Sequence, residues 1–270
     1  EAYRNSGLPV PDQNTAPTYD NKDLTFWDQN KYTDWQKVLI GGTANQTNAY
    51  VSASGGTDNT QFLTGATYRK QTTVFPGDFG SKGGGVNLNV NTTSNNQKFR
   101  ASISAQYFVD VNELPNGDLT SSSYMAPNTP DLDKPDGSIN YALFPDGSTS
   151  FYNPMRDLEI RTTTNTVNLT TNGTLSYQIF NGLLLKSDLS YSNMTSKSLQ
   201  IYPSTSFFPD EVSYAARGTG IRLGGTKAWQ IEPQLTYDIS SKLGKLSFLV
   251  GGTINRRATE YQGLYGFGVG

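Results

Sequence analysis

The chain has 270 residues, with 21 Lys and Arg against 23 Asp and Glu and neither Cys nor His. That excludes disulfides, thiolate zinc sites, cysteine nucleophiles, Ser-His-Asp triads and imidazole metal clusters, and the lack of a basic excess argues against nucleic-acid binding. Hydrophobic residues make up 35% and charged residues 16%, both below the roughly 45–50% and 25% of average soluble domains. Asn, Thr, Ser, Gln and Gly fill the gap alongside 12% aromatics. This is a β-rich composition, too aromatic and too weakly charged for disorder.

Residues 1–45 read as an irregular lead-in, with Pro9, Pro11 and Pro17 in its first half. From there on the dominant signal is alternation with period two. Eight strands are expected, at about 46–54, 60–69, 84–93, 97–109, 164–179, 183–194, 225–239 and 244–256. Val86, Leu88 and Val90 alternate with Asn87, Asn89 and Asn91; Trp229, Ile231, Leu235 and Tyr237 alternate with Gln230, Glu232, Gln234 and Thr236. Pro233 removes a ladder donor and marks an edge, bulge or bend. No stretch of ~18 apolar residues provides a transmembrane helix, but membrane-spanning strands need only ~9–11 alternating residues.

The connections alternate in length. Short ones are expected at 55–59, at Ser94-Asn95-Asn96, at Phe180-Asn181-Gly182, where Asn-Gly is a hairpin signal, and at 240–243. Long ones are expected at 70–83, 110–163 and 195–224. An all-β, antiparallel up-and-down sheet with tight turns on one side and long loops on the other has this pattern, as outer-membrane β-barrels do. The 110–163 loop is rich in proline and aromatics, too aromatic for a flexible linker, and is expected to be ordered, with a short hairpin near Asn140–Phe144. The 195–224 loop carries Tyr202, Phe207, Phe208 and Tyr214. The two chain ends read as those of a piece of a longer polypeptide.

Several motifs occur in order. Tyr32-Thr33-Asp34-Trp35-Gln36 precedes the strand Asn45–Ser54 and the hairpin Gly55-Gly56-Thr57-Asp58-Asn59-Thr60, with Phe62 and Tyr68 on the return strand. Asn153-Pro154-Met155 then precedes the hairpin running from Gly173-Thr174-Leu175-Ser176-Tyr177 to Gly182-Leu183-Leu184-Leu185-Lys186. Together they resemble the barrel region of SusC/RagA-type TonB-dependent outer-membrane transporters of Bacteroidetes, over most of residues 32–194. The Gly83-Gly84-Gly85 triplet departs from that pattern. The resemblance implies a transmembrane β-barrel fragment (residues 46–270) with long extracellular loops. It also implies import of an oligosaccharide or oligopeptide, a SusD-like surface lipoprotein as lid, the TonB complex acting through a plug domain not in this stretch, contact with outer-membrane lipid, and no enzymatic activity.

Candidate substrate contacts are the loop aromatics Tyr124, Tyr141, Phe151, Tyr152, Phe207 and Phe208, since an aromatic face offers large contact area at low entropy cost. The competing role for each is to pack the loops against one another. Tyr107, Phe108, Tyr177, Tyr191, Trp229 and Tyr237 lie near strand ends and are expected to form an interfacial aromatic girdle, while Asn87, Asn89, Gln230, Glu232 and Gln234 are expected to line the lumen. No cofactor is expected. Asp131, Asp133 and Asp136 have the oxygen-rich spacing of a calcium loop, yet the downstream bidentate Glu is missing and Lys134 intervenes, so an Asx turn is the favoured reading. Gly218–Gly224 nearly spells a dinucleotide fingerprint, with Leu223 where the last glycine belongs and no βαβ context. Two other classes compete: a soluble carbohydrate-binding or adhesin β-sandwich, which calls for shorter strands, and a secreted β-fold glycosidase using a carboxylate pair such as Asp157 and Glu159.

Overall fold

The computed structural model describes residues 2–12, 14–211, 217–242 and 244–268. Nine strands form one antiparallel sheet: β1 Gln46–Gly56, β2 Thr60–Thr72, β3 Gly80–Thr93, β4 Phe99–Pro115, β5 Arg161–Phe180, β6 Leu183–Tyr202, β7 Gly218–Ser241, β8 Gly244–Gly251 and β9 Ile254–Phe267. Each strand from β1 to β7 pairs with the next, and β9 also pairs with β7. β8 and β9 lie along β7 in one unbroken register, from Ser241↔Gly244 through Gln234↔Gly251 and Ile231↔Ile254 to Gly218↔Phe267. They are a single strand interrupted opposite Pro233, which reconciles nine strands with the eight expected. The Pro233 carbonyl accepts from the Gly252 amide at 3.1 Å. A residue's N–H and C=O point to the same neighbour in a ladder, so the donor that proline lacks is missing on the β8–β9 side, where the break occurs. On the β6 side the register runs unbroken from Leu183↔Tyr237 to Tyr202↔Gly218.

The loops are shorter than expected. The 70–83 connection contracts to residues 73–79, 110–163 to 116–160, and 195–224 to 203–217, because the strands extend several residues beyond the alternating segments. Tyr202 therefore closes β6, while Tyr214 and Leu243 lie outside the described residues. Glycine sets two of the tight turns. Gly56 has φ +151° and a Cβ there would overlap the Thr60 carbonyl; Gly182 has φ +93° and its carbonyl accepts from the Asp238 amide at 2.8 Å. Both need the freedom of a residue without Cβ.

One face of the sheet is apolar from the first strand to the last. Val51, Ala66, Val86, Tyr107 and Leu169 stand side by side across five strands. The same hydrogen-bonded row then meets Asn193 and Lys227 and has left the apolar band. At the other end, Phe99, Tyr177, Leu185, Leu235 and Val250 form an apolar row that β1 does not reach. The band thus drifts by about one residue per strand. With a rise of ~3.4 Å per residue and ~4.8 Å between strands, that drift is the tangent of a tilt of about 35°, the lower end of the range in closed barrels. These side chains are exposed: Val51, Val86, Phe248 and Val250 keep half or more of their surface free. Tyr107, Tyr177, Tyr191, Trp229 and Tyr237 share this face, whereas Phe108 points to the opposite, polar side with Asn87, Asn89, Gln230, Glu232 and Gln234. The period of two separates Phe108 from Tyr107 and removes it from the girdle.

The buried apolar cluster sits outside the sheet. Trp27, Trp35, Leu39, Phe79, Leu119, Leu132, Phe151 and Leu158 form it, and none belongs to a strand. All come from the segment before β1 or from connections at the end of the sheet opposite the tight turns.

Candidate functional site

The loop end is assembled around two of the motifs. Asp34 caps the short helix Trp35–Ile40 by accepting from the Lys37 amide at 3.0 Å, as an N-cap aspartate does. This turns the buried Trp35 indole to donate to the Ala126 carbonyl at 2.8 Å, and the Thr33 amide donates to the Pro127 carbonyl at 2.8 Å. Asn153, fully buried, donates through Nδ2 to the carbonyls of Leu132 at 2.6 Å and Asn140 at 2.7 Å, and its Oδ1 accepts from the Met155 amide at 2.9 Å. It pins the base of the loop against the helix Met155–Glu159.

Between these anchors are two small hairpins in place of the single one expected at Asn140–Phe144. They are closed by the bridges Asp133↔Ile139 and Leu143↔Thr149. Each turns on Pro-Asp-Gly-Ser, at Pro135–Ser138 and Pro145–Ser148. In each, the aspartate Oδ1 accepts from the amide and hydroxyl of the serine two residues on, at 2.9 and 2.6 Å, and these bonds hold the carboxyls of Asp136 and Asp146 below the usual value. The calcium candidates therefore have separate partners. Asp131 pairs with Lys31 at 2.8 Å, Asp136 closes its own turn, and partial burial together with Glu159 raises the Asp133 carboxyl. Among the described residues no three acidic side chains come together to hold a metal ion.

Of the six candidate aromatics, the structure gathers three. Phe208 meets Tyr141 edge-on at 5.4 Å and Tyr152 at 5.9 Å, joining the 116–160 loop to the 203–217 loop. The Arg156 guanidinium lies 4.2 Å above the Phe208 ring and 5.4 Å from that of Tyr152. Tyr141 is buried and donates to the Thr205 carbonyl at 3.2 Å; burial raises its pKa. Tyr152 remains 43% exposed and donates to Asp157 at 2.5 Å; burial first, then this bond, push its pKa upward. Phe151 is in the core, edge-on to Trp27 at 6.0 Å, a packing position. Phe207 is half-buried and Tyr124 projects into solvent, 88% exposed. Asp157 and Glu159 are committed to Tyr152 and to the Thr205 hydroxyl, at 2.5 and 2.9 Å.

A cleft of about 420 Å³ opens between the segment before β1 and the 116–160 loop. Tyr19, Lys22, Trp27, Thr129 and Tyr152 are among its walls, with Asp20 and Asp23 beside them. The Lys22 ammonium lies 3.1 Å from the centre of the Tyr19 ring and donates to the Tyr19 carbonyl at 2.6 Å; burial lowers its pKa, against the pull of Asp23 and Asp20. Aromatic faces and one cation flanked by two carboxylates suit a ligand with both apolar groups and charge. Sequence reading missed Tyr19, Lys22 and Arg156. The first two lie in the segment taken as irregular, where proline spacing hid a folded unit, and Arg156 directly follows the Asn153-Pro154-Met155 motif.

On the polar face, Arg69 and Asp110 pair at 2.9 Å across Gly83, and the Arg69 guanidinium lies 4.9 Å from the Phe108 ring. A Cβ at Gly83 would meet Asp110 at 2.7 Å, and one at Gly85 would meet Phe108 at 2.7 Å. Gly83 and Gly85 leave the space these side chains occupy.

No family model and no curated protein matches the chain. Among solved structures it is similar to the RagAB peptide importer in a closed-closed state, with TM-score 0.73 and 15% identity. It is also similar to the RagAB peptide transporter and to the importer in an open-open state, each with TM-score 0.72 and 16% identity. In all three the match covers 90% of this chain and 27% of the other. The chain thus spans about a quarter of the length of the chains it matches, and the likeness is one of fold.

Proposed function

We propose that this chain is a section of the wall and outer loops of an outer-membrane nutrient importer of the SusC/RagA type. It supplies surface and shape, and no chemical step. The observation that carries this reading is the tilted apolar face, continuous from β1 to β8 and uncovered. A β-sandwich would bury such a face under a second sheet, and the described residues contain one sheet only. Hydrocarbon is the solvent that suits it, with the polar face turned to a lumen. The fold likeness to chains of the RagAB peptide importer supports the same reading.

In this reading the apolar band meets outer-membrane lipid. The lumen groups Asn87, Asn89, Gln230, Glu232 and Gln234 face a plug, and the loop end receives substrate beneath a SusD-like lipoprotein. The TonB complex supplies energy through the plug. The cleft beside Tyr19, Lys22 and Tyr152 is a first contact for substrate, and its combination of aromatic faces with both signs of charge favours an oligopeptide over an oligosaccharide. Calcium is not assigned a role. The test is fractionation of cells making the full-length protein, followed by uptake of labelled oligopeptide. Recovery from the outer membrane only with detergent, and uptake that stops when the inner-membrane proton gradient is collapsed, are expected. A clear aqueous extract overturns the membrane reading; uptake indifferent to the gradient overturns the energy coupling.

A further inference from the structure

The outward face carries charge on one side of the apolar band only. Lys70, Lys82, Lys197, Lys227 and Arg256 all point outward at the loop side, and none makes an ion pair with a described carboxylate. At the turn side the outward positions end in Phe99, Ile179, Ile239 and Leu246. Lys70 and Lys82 are direct cross-strand partners, an arrangement that repels unless an anion lies between them.

The same side holds a groove of about 450 Å³ across β5, β6, β7 and β9. Val167, Leu223, Gly225 and Ala258 give it an apolar floor, with Lys197 and Lys227 as cationic rims. Gly225 opens it, since a Cβ there would only graze Met194 and Thr195. Glu260 also lines the groove, so with Arg256 on the same face three cations stand against one carboxylate. The Asn193 side-chain oxygen, among the lining groups, is buried and accepts no hydrogen bond from a described residue.

We infer that this groove receives the headgroup of a phosphorylated glycolipid of the outer leaflet, with its acyl chains running down onto the apolar band, one phosphoryl group at Lys227 and Arg256 where the band ends, a second at Lys197 further along the groove, and a hydroxyl or amide N–H of the headgroup donating to Asn193. The inference rests on the membrane reading above. Its place follows from that reading: the band fixes hydrocarbon depth, and cations just beyond it stand where headgroup phosphates lie. On the polar face Arg69 and Lys186 are paired with Asp110 and Asp188.

The full-length protein, extracted in detergent, is titrated with bisphosphorylated lipid A and with its dephosphorylated counterpart, and adducts are counted by native mass spectrometry. The phosphorylated form is expected to bind at least about tenfold more tightly, and the K197Q/K227Q/R256Q variant to lose that preference. Arg257→Gln, on the lumen face next to the altered site, is expected to keep it. Equal binding of the two lipids, or a preference that survives the triple substitution, overturns the site while leaving the barrel intact. A protein that needs no detergent overturns both readings at once.

Discussion

Asn153 shows how much of the loop end hangs on one side chain. It satisfies two carbonyls and one amide in a position without solvent access. Leaving such groups unpaired costs about 1–3 kcal/mol. Asn153→Ala is therefore expected to speed amide exchange through residues 132–155, while the paired amides of β5 and β6 exchange as before. Unchanged protection in the loop would mean that the apolar cluster alone holds it. The motif containing Asn153 was visible in the sequence, but its partners were not. Leu132 and Asn140 lie 21 and 13 residues away, and nothing in local pattern links an asparagine to carbonyls at such distances. The repeated Pro-Asp-Gly-Ser was a missed signal of a different kind: a local turn motif written twice, which identifies both hairpins once the repetition is noticed.

At the scale of the strand, neighbouring residues have opposite surroundings. Leu235 points into the apolar band and Gln234 to the polar face. Arginine costs about 2–4 kcal/mol on a lipid face at mid-bilayer depth. In folding titrations of the full-length protein into lipid vesicles, Leu235→Arg is expected to lose about that much, and Gln234→Arg to change stability little. Equal losses would show that the two faces are not in different solvents. This contrast also explains which parts of the strands were legible. Alternation exists only where one face needs hydrocarbon. Beyond the band both faces are polar, as along Thr162–Asn165 and Ser196–Ser198, so the period of two disappears while the ladder continues. The strands were therefore read short, and the loops long, at the loop end. The Gly83–Gly85 triplet was noticed as an anomaly, but the reason for Gly83 and Gly85 lies on β2 and β4, in Arg69, Phe108 and Asp110.

For the whole molecule, the two ends of the sheet are unlike, and this difference assigns a sidedness. One end has tight turns such as 57–59 and 181–182; the other gathers the segment before β1, the 116–160 loop and the buried tryptophans into a folded cap. A cap with its own core has a reason to exist where a ligand or partner is met, and barrels place long loops outside and short turns in the periplasm. The cationic groups beyond the band lie at the cap end, so loops and charge agree on the direction. The chain contains no cysteine, so a single introduced thiol has no competitor within it. Tyr124→Cys, at the exposed tip of the cap, is expected to react with a membrane-impermeant maleimide on intact cells. Asp58→Cys, in the β1–β2 turn, is expected to react only after the outer membrane is permeabilised. The reverse pattern would invert the orientation and move the cleft at Tyr19 and Lys22 to the periplasm. Equal labelling of both thiols on intact cells would mean that the apolar face is covered by something other than a bilayer.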